Sequence, residues 1–152
     1  MSDAHTVKGL VLAAGKGVRM KSDLPKVLHP LAGKPLVIHV IENLKKSGID
    51  DIIVVVGYRG ELVEEALGSQ VKVVWQREQL GTGHAVMQAE SALKGFEGGV
   101  VIACGDVPLM KPETFRAVVD GSARENVKAI VVTMRLDNPF GYGRIIRDES
   151  GN

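Results

Sequence analysis

Aromatic residues are scarce in this 152-residue chain, with Phe, Tyr and Trp together making up 4%. Its core must therefore rest on Val, Ile, Leu and Ala. There is one cysteine, Cys104, which excludes an internal disulfide and fits a reducing compartment. Following Val100, Val101, Ile102 and Ala103, it reads as a buried small apolar residue rather than a reactive thiol. No apolar run approaches membrane-spanning length, and the opening stretch MSDAHTVKG has no apolar signal-peptide core. The expectation is a cytoplasmic protein with no membrane partner. Charge of one sign is missing too: the net charge is +1, and no segment is basic enough to form a nucleic-acid groove. What remains, 45% apolar and 24% charged, suits one domain long enough to bury a core.

Short β-branched runs alternate with helix-like segments. Residues Val7–Ala13, Asp51–Val56, Val71–Trp75, Gly99–Cys104 and Ala129–Met134 read as strands, several of them continuously apolar, as strands covered on both faces are. Pro35–Lys46 places Leu36, Val40, Ile41 and Leu44 on one helical face, with Pro35 in the first turn and Gly48 as a stop. Arg59–Leu67, Gly83–Leu93 and Pro112–Arg124 are further predicted helices. The alternation predicts an α/β fold with a mostly parallel, doubly wound sheet. Arg144–Arg147 reads as one more strand, followed by a turn over 148–152 and no returning partner. That pattern gives the expectation of a piece of a longer chain with an exposed sheet edge, a surface open to self-association.

Four stretches could carry chemistry. LAAGKGVRM (12–20) puts glycines and cations directly after a strand, where backbone N–H groups can approach an anion. It fails the dinucleotide fingerprint, because Met20 stands where Gly or Ala belongs, and it lacks the glycine spacing of a P-loop. Lys16, Arg19 and Lys26 around such a loop suit a triphosphate, although a plain surface loop would look the same in isolation. WQREQLGTGHA (75–85) offers the Gln76 amide, which can both donate and accept along a nucleobase edge. Gly81 and Gly83 let backbone approach a flat ligand, the Thr82 hydroxyl either meets that ligand or caps a helix, and His84 reads as a first-turn structural residue. ACGDVPL (103–109) places Asp106 after a strand, as a ligand for Mg²⁺ or as a turn residue. NPFGYGRI (138–145) brackets Tyr142 with Gly141 and Gly143, either to meet a sugar or simply to turn.

The segments LAAGKGVRM, SDLPKVLHPLAGKPL, QREQLGTGHA, GDVPL and FGYGRI, in this order and spacing, closely resemble the nucleotidyltransferase domain of bacterial bifunctional N-acetylglucosamine-1-phosphate uridylyltransferases. The likeness runs from about Leu10 to the end of the chain. It implies a Rossmann-like nucleotidyltransferase fold, incomplete at the C-terminus. The implied reaction is uridylyl transfer from UTP to N-acetylglucosamine-1-phosphate for cell-wall precursor synthesis, with Mg²⁺ as cofactor. The resemblance further implies backbone contacts from Leu12, Ala13, Ala14, Gly15 and Gly17 to the nucleotide. Arg19 and Lys26 become the triphosphate-binding and catalytic cations, Gln76, Gly81 and Thr82 the uracil-reading positions, Asp106 the metal ligand, and Gly143 a sugar contact.

Val18 departs from the family's usual threonine, and Cys104 from a frequent aromatic. The family's remaining sugar-holding glutamate and asparagine, and an asparagine of its metal site, correspond to positions past residue 152. The chain is thus expected to be the nucleotide-binding part of the transferase domain, with no acetyltransferase β-helix. The alternatives are a transferase for another sugar-1-phosphate, a nucleotide-binding module without turnover, and a Rossmann oxidoreductase, the last disfavoured by Met20.

Overall fold

The computed structural model describes residues 6–148. Four strands, β1 (Val7–Ala13), β4 (Ile52–Val56), β5 (Lys72–Trp75) and β6 (Gly99–Cys104), form a wholly parallel sheet in the order β5-β4-β1-β6. A two-residue ribbon, β2 (Pro30–Leu31) with β3 (Lys34–Pro35), leads into α1 (Leu36–Lys46). Helices α2 (Gly60–Leu67), α3 (Thr82–Met87), α4 (Glu90–Leu93) and α5 (Pro112–Ser122) make up the remaining layers. Among the described residues no helix is long and apolar enough to cross a membrane.

Side chains alternate across a strand, so a strand apolar at every position must be covered on both faces. β4, IIVVV, is buried throughout. Its Ile52, Val54 and Val56 join Val11 and Ala13 of β1 against α1, α2 and α5, in a core with Val37, Val40, Ile41, Leu44, Val63, Leu67 and Phe115. On the opposite face Ile53 and Val55 join Leu10 and Ala14 against Ala85 and Ala89. The sheet is thus doubly wound, as the alternating pattern predicts. The face that α1 buries runs through Val37 rather than Leu36, because Val37, Val40, Ile41 and Leu44 fall at i, i+3, i+4 and i+7 on one stripe.

Three expectations fail in instructive ways. The helix predicted over Gly83–Leu93 is split into α3 and α4. The Gln88 and Ala89 backbone N–H groups reach back only three residues, to Ala85 and Val86, so the α-helical ladder stops there. Ala129–Met134 and Arg144–Arg147 are β-rich in sequence but form no strand: neither run pairs with β6, and Val131, Met134, Ile145 and Ile146 are exposed. A strand exists only through its neighbours, and propensity alone does not make one. Cys104, expected to be buried, is exposed. α3 and α4 cover the β1–β4 part of their face and stop short of β6, which leaves Val100, Ile102 and Cys104 outside the apolar cluster.

Candidate active site

The chain runs from β1 to β4 to β5 on one side of the sheet and then returns to place β6 on the other side of β1. The loops leaving β1, β5 and β6 gather at the carboxyl edge of this parallel sheet, the usual ligand position in open α/β sheets. A cavity of about 650 Å³ lies there. Leu12, Ala13, Ala14, Gly15, Gly17 and Arg19 enter it from the first loop, Lys26 from the turn that follows, Gly81 and Thr82 from the start of α3, and Asp106 from the loop after β6.

Local chemistry explains why these segments take this shape. Gly17 has φ 64°, and a Cβ there would stand 2.6 Å from Lys26 Cβ. Only glycine lets the loop turn this tightly against the segment that carries Lys26. Gly81 precedes α3 with φ 101° and ψ 178°, a backbone conformation essentially confined to glycine. Val27, buried in the core, pins the short turn Lys26–Leu28, so the neighbouring lysine stem leaves the core toward the cavity. The loop after β6 is tied down from α1, where Asn43 Nδ2 donates to the Pro108 and Met110 carbonyls at 3.1 and 3.0 Å.

At the cavity wall Lys26 Nζ donates to Asp106 Oδ2 at 2.6 Å, with the two side chains 34% and 31% exposed. A cation and a carboxylate thus share one position, and Arg19 stands exposed on the same cavity. Such a set can neutralise phosphate oxygens and, through the carboxylate, hold a hard divalent cation. The neighbouring Cys104 thiol is pushed above its ordinary pKa by partial burial and by the Asp106 carboxylate, with Lys26 acting the other way. An elevated thiol is a poor nucleophile at neutral pH, which fits a lining role.

Of the residues to which the resemblance assigns a ligand contact, two do not line this cavity. Gln76 is 3% exposed and lies behind the wall, where its Nε2 is 3.1 Å from the Gly81 carbonyl oxygen and 3.0 Å from His84 Nδ1. Gly143 belongs to the exposed irregular stretch. Lys16 also departs from the expected cluster of three cations. Its Nζ lies 5.3 Å from the centre of the Tyr58 ring, in an adjoining groove with Val18, Lys21, Ser22 and Asp23. Thr82 caps nothing: the cap of α3 is Gly81, with no side-chain hydrogen bond, and Thr82 faces the cavity. Met20, Val27, Gln79, Ala85 and Cys104 complete the lining without having been singled out as ligand contacts. Asn43 was missed as well. Its only signal is an amide between the buried Ile41 and Leu44 of an amphipathic helix.

Residues 9–149 match the model of the MobA-like NTP transferase domain. The chain belongs to that family. The bifunctional protein GlmU of Geobacter metallireducens is 51% identical over 144 residues, covering 93% of this chain and 30% of that protein. The chain spans about 30% of the length of the curated relatives it matches. The GlmU matches bear out the resemblance drawn from the five segments. Among solved structures, a nucleotidyl transferase from Methanothermobacter thermautotroptrophicus superposes with TM-score 0.67 at 30% identity, over 77% of this chain and 58% of that one. Rv0371C of Mycobacterium tuberculosis, solved in complex with manganese, shares the fold at TM-score 0.63 and 24% identity, over 76% of this chain and 58% of that one.

Proposed function

We propose that this chain is the nucleotide-binding part of a sugar-1-phosphate nucleotidyltransferase domain that transfers uridylyl from UTP to N-acetylglucosamine-1-phosphate in the cytoplasm. The observation that carries the reading is the Lys26–Asp106 pair, set beside Arg19 and the glycine loop in the crevice between β1 and β6. In this transfer a phosphate oxygen of the sugar phosphate attacks the α-phosphorus of UTP. The bond from that phosphorus to the bridging oxygen breaks, and pyrophosphate leaves. The attacking oxygen is already anionic, so the protein need supply no nucleophile. Catalysis reduces to alignment and charge neutralisation.

Backbone from Leu12 to Gly17 would hold the nucleotide, Arg19 and Lys26 its phosphates, and Gly81 and Thr82 the flank of the base, with Gln76 behind them. Asp106 fits Mg²⁺. Among the described residues there is no group of three or more His, Cys, Asp or Glu able to cage a metal. Mg²⁺ in phosphoryl-transfer sites needs only one or two carboxylates, since substrate phosphates complete its shell. Held by Asp106, the ion would neutralise charge developing on the phosphates. Gly143 stands as the sugar contact on the resemblance alone. That it lies outside the lining favours a second reading of this chain by itself: nucleotide binding with little turnover. The open edge at β6 supports self-association.

Two assays on the 152-residue chain test this. UTP should bind in the presence of Mg²⁺ more tightly than CTP or GTP, and a preference for either competitor overturns the uridine assignment. Pyrophosphate release from UTP and N-acetylglucosamine-1-phosphate should be slow; a brisk rate removes the second reading and strengthens the first.

A further inference from the structure

We propose that His84 is a positioning residue that fixes the orientation of the Gln76 amide, and so decides which pyrimidine edge the site accepts; the second half rests on the uridine reading above. The premise is the pair of contacts at Gln76 Nε2, 3.1 Å to the Gly81 carbonyl oxygen and 3.0 Å to His84 Nδ1. A carbonyl oxygen only accepts, so the amide group facing Gly81 is the NH₂ end. Turning the amide over would set two oxygens against each other in a site where Gln76 is 3% exposed. One amide hydrogen serves Gly81 and the other is aimed at His84. Nδ1 must then be the nitrogen with the lone pair, and the ring proton sits on Nε2.

The far side of the ring tests that assignment. Gln88 Nε2 lies 3.1 Å from His84 Nε2 and 3.0 Å from the His84 backbone oxygen. Two amide NH₂ groups facing two ring nitrogens make one donor too many, because a neutral imidazole accepts at a single nitrogen. One glutamine must give way. Gln88 is only half-buried and can turn its amide to offer Oε1 to the Nε2–H, giving up its bond to the His84 carbonyl. Gln76 has no such freedom, since Gly81 holds it. The conflict resolves at Gln88, and His84 locks the Gln76 amide from behind.

With both amide hydrogens committed, Oε1 is the one group Gln76 leaves to a base that reaches past Gly81 and Thr82 to it. An acceptor suits a base that donates from its ring: uracil carries N3–H where cytosine has a bare nitrogen. His84 thereby selects uracil over cytosine without touching either.

Long-range ¹⁵N–¹H NMR on the histidine rings of the whole chain reads the tautomer directly. The Nε2–H form is expected at His84, and the Nδ1–H form overturns the proposal. Two variants read the consequence. His84→Asn keeps an acceptor near the Nδ1 position and should keep the UTP-to-CTP affinity ratio close to that of the native chain. His84→Phe keeps a ring but no acceptor, and the ratio should fall about tenfold. An unchanged ratio in His84→Phe, or an equal loss for both nucleotides, overturns the positioning role. A native chain that does not distinguish UTP from CTP sinks the uridine reading instead, while the tautomer still reports on the His84 network.

Discussion

Lys26 and Asp106 stand 80 residues apart in sequence and meet at 2.6 Å, Nζ to Oδ2, beside the carboxyl ends of β1 and β6. Each is the other's counter-charge, and each is also a group that a metal-bound triphosphate would claim. Replacing the carboxylate by an amide should therefore separate two effects. In Asp106→Asn, Lys26 is released to the phosphates, so UTP should bind more tightly than to the native chain when divalent metal is chelated. The extra affinity that Mg²⁺ confers should disappear. Lys26→Ala should weaken UTP binding about tenfold or more with or without metal, the loss expected for a charge-assisted hydrogen bond. Titration calorimetry with Mg²⁺ and with chelator checks both, and an undiminished Mg²⁺ effect in Asp106→Asn removes the carboxylate from the metal site.

A second prediction concerns how the two sides of the cavity are held. Gly57 follows β4 and sits between Ala14, just past β1, and Gln76, just past β5. A Cβ there would lie 2.8 Å from Ala14 Cβ, 2.9 Å from the Ala14 carbonyl oxygen and 3.0 Å from the Gln76 carbonyl oxygen. Two of these are backbone atoms that cannot rotate away. Gly57→Ala should force the loops apart and strain the bond from Tyr58 N–H to the Ala14 oxygen, 3.0 Å in the native chain. Overpacking of this kind costs about 1–3 kcal/mol. For a domain of this size that corresponds to a fall of roughly 2–12 °C in the unfolding midpoint. Thermal unfolding at the native midpoint would show no other result unless the loops have slack.

The four-stranded parallel sheet was legible because its strands are short, mostly apolar runs between helical segments, β4 being apolar without interruption as its burial on both faces requires. β1 and β6 fall on their predicted bounds, and β4 and β5 begin one residue later. Ala129–Met134 has the same composition and no strand, because pairing is decided by which backbone lies alongside, and sequence pattern does not carry that information. At the site, the glycine loop and Asp106 could be read from their place at strand ends. Their meeting with Lys26 could not, since it depends on β6 crossing to the far side of β1. Gln76 shows the same limit on a smaller scale. Its residue type announced recognition, but only the positions of Gly81 and His84 reveal which end of the amide is already in use.

The Cys104 thiol offers a pH readout of the site. Partial burial and the Asp106 carboxylate both favour its neutral form, so its pKa lies above that of a free cysteine. At mildly alkaline pH a smaller fraction is thiolate, and alkylation should be slower than for a small free thiol. Asp106→Asn removes one of the two upward influences and leaves the opposing one from Lys26. The pH–rate curve for iodoacetamide should therefore move to lower pH in that variant. Because Cys104 lines the cavity, UTP with Mg²⁺ should also protect it in the native chain. A curve that Asp106→Asn leaves in place would mean that burial alone sets the thiol.

Strand β6 closes the sheet on one side and has no partner beyond it among the described residues. Its exposed positions are apolar: Val100 is 37% and Ile102 51% exposed, on the part of the sheet face that α3 and α4 leave uncovered. An unpaired backbone edge beside apolar side chains is a template for another edge, and a single charge pointing outward is the usual protection against it. The native chain should therefore associate with itself as concentration rises. Ile102→Lys should keep it monomeric while leaving UTP affinity unchanged, because Ile102 does not line the cavity. Sedimentation velocity over a concentration series decides the matter. A native chain that stays monomeric throughout would show that the β6 edge is protected by something other than charge, with the extended segment after α5 as the nearest candidate.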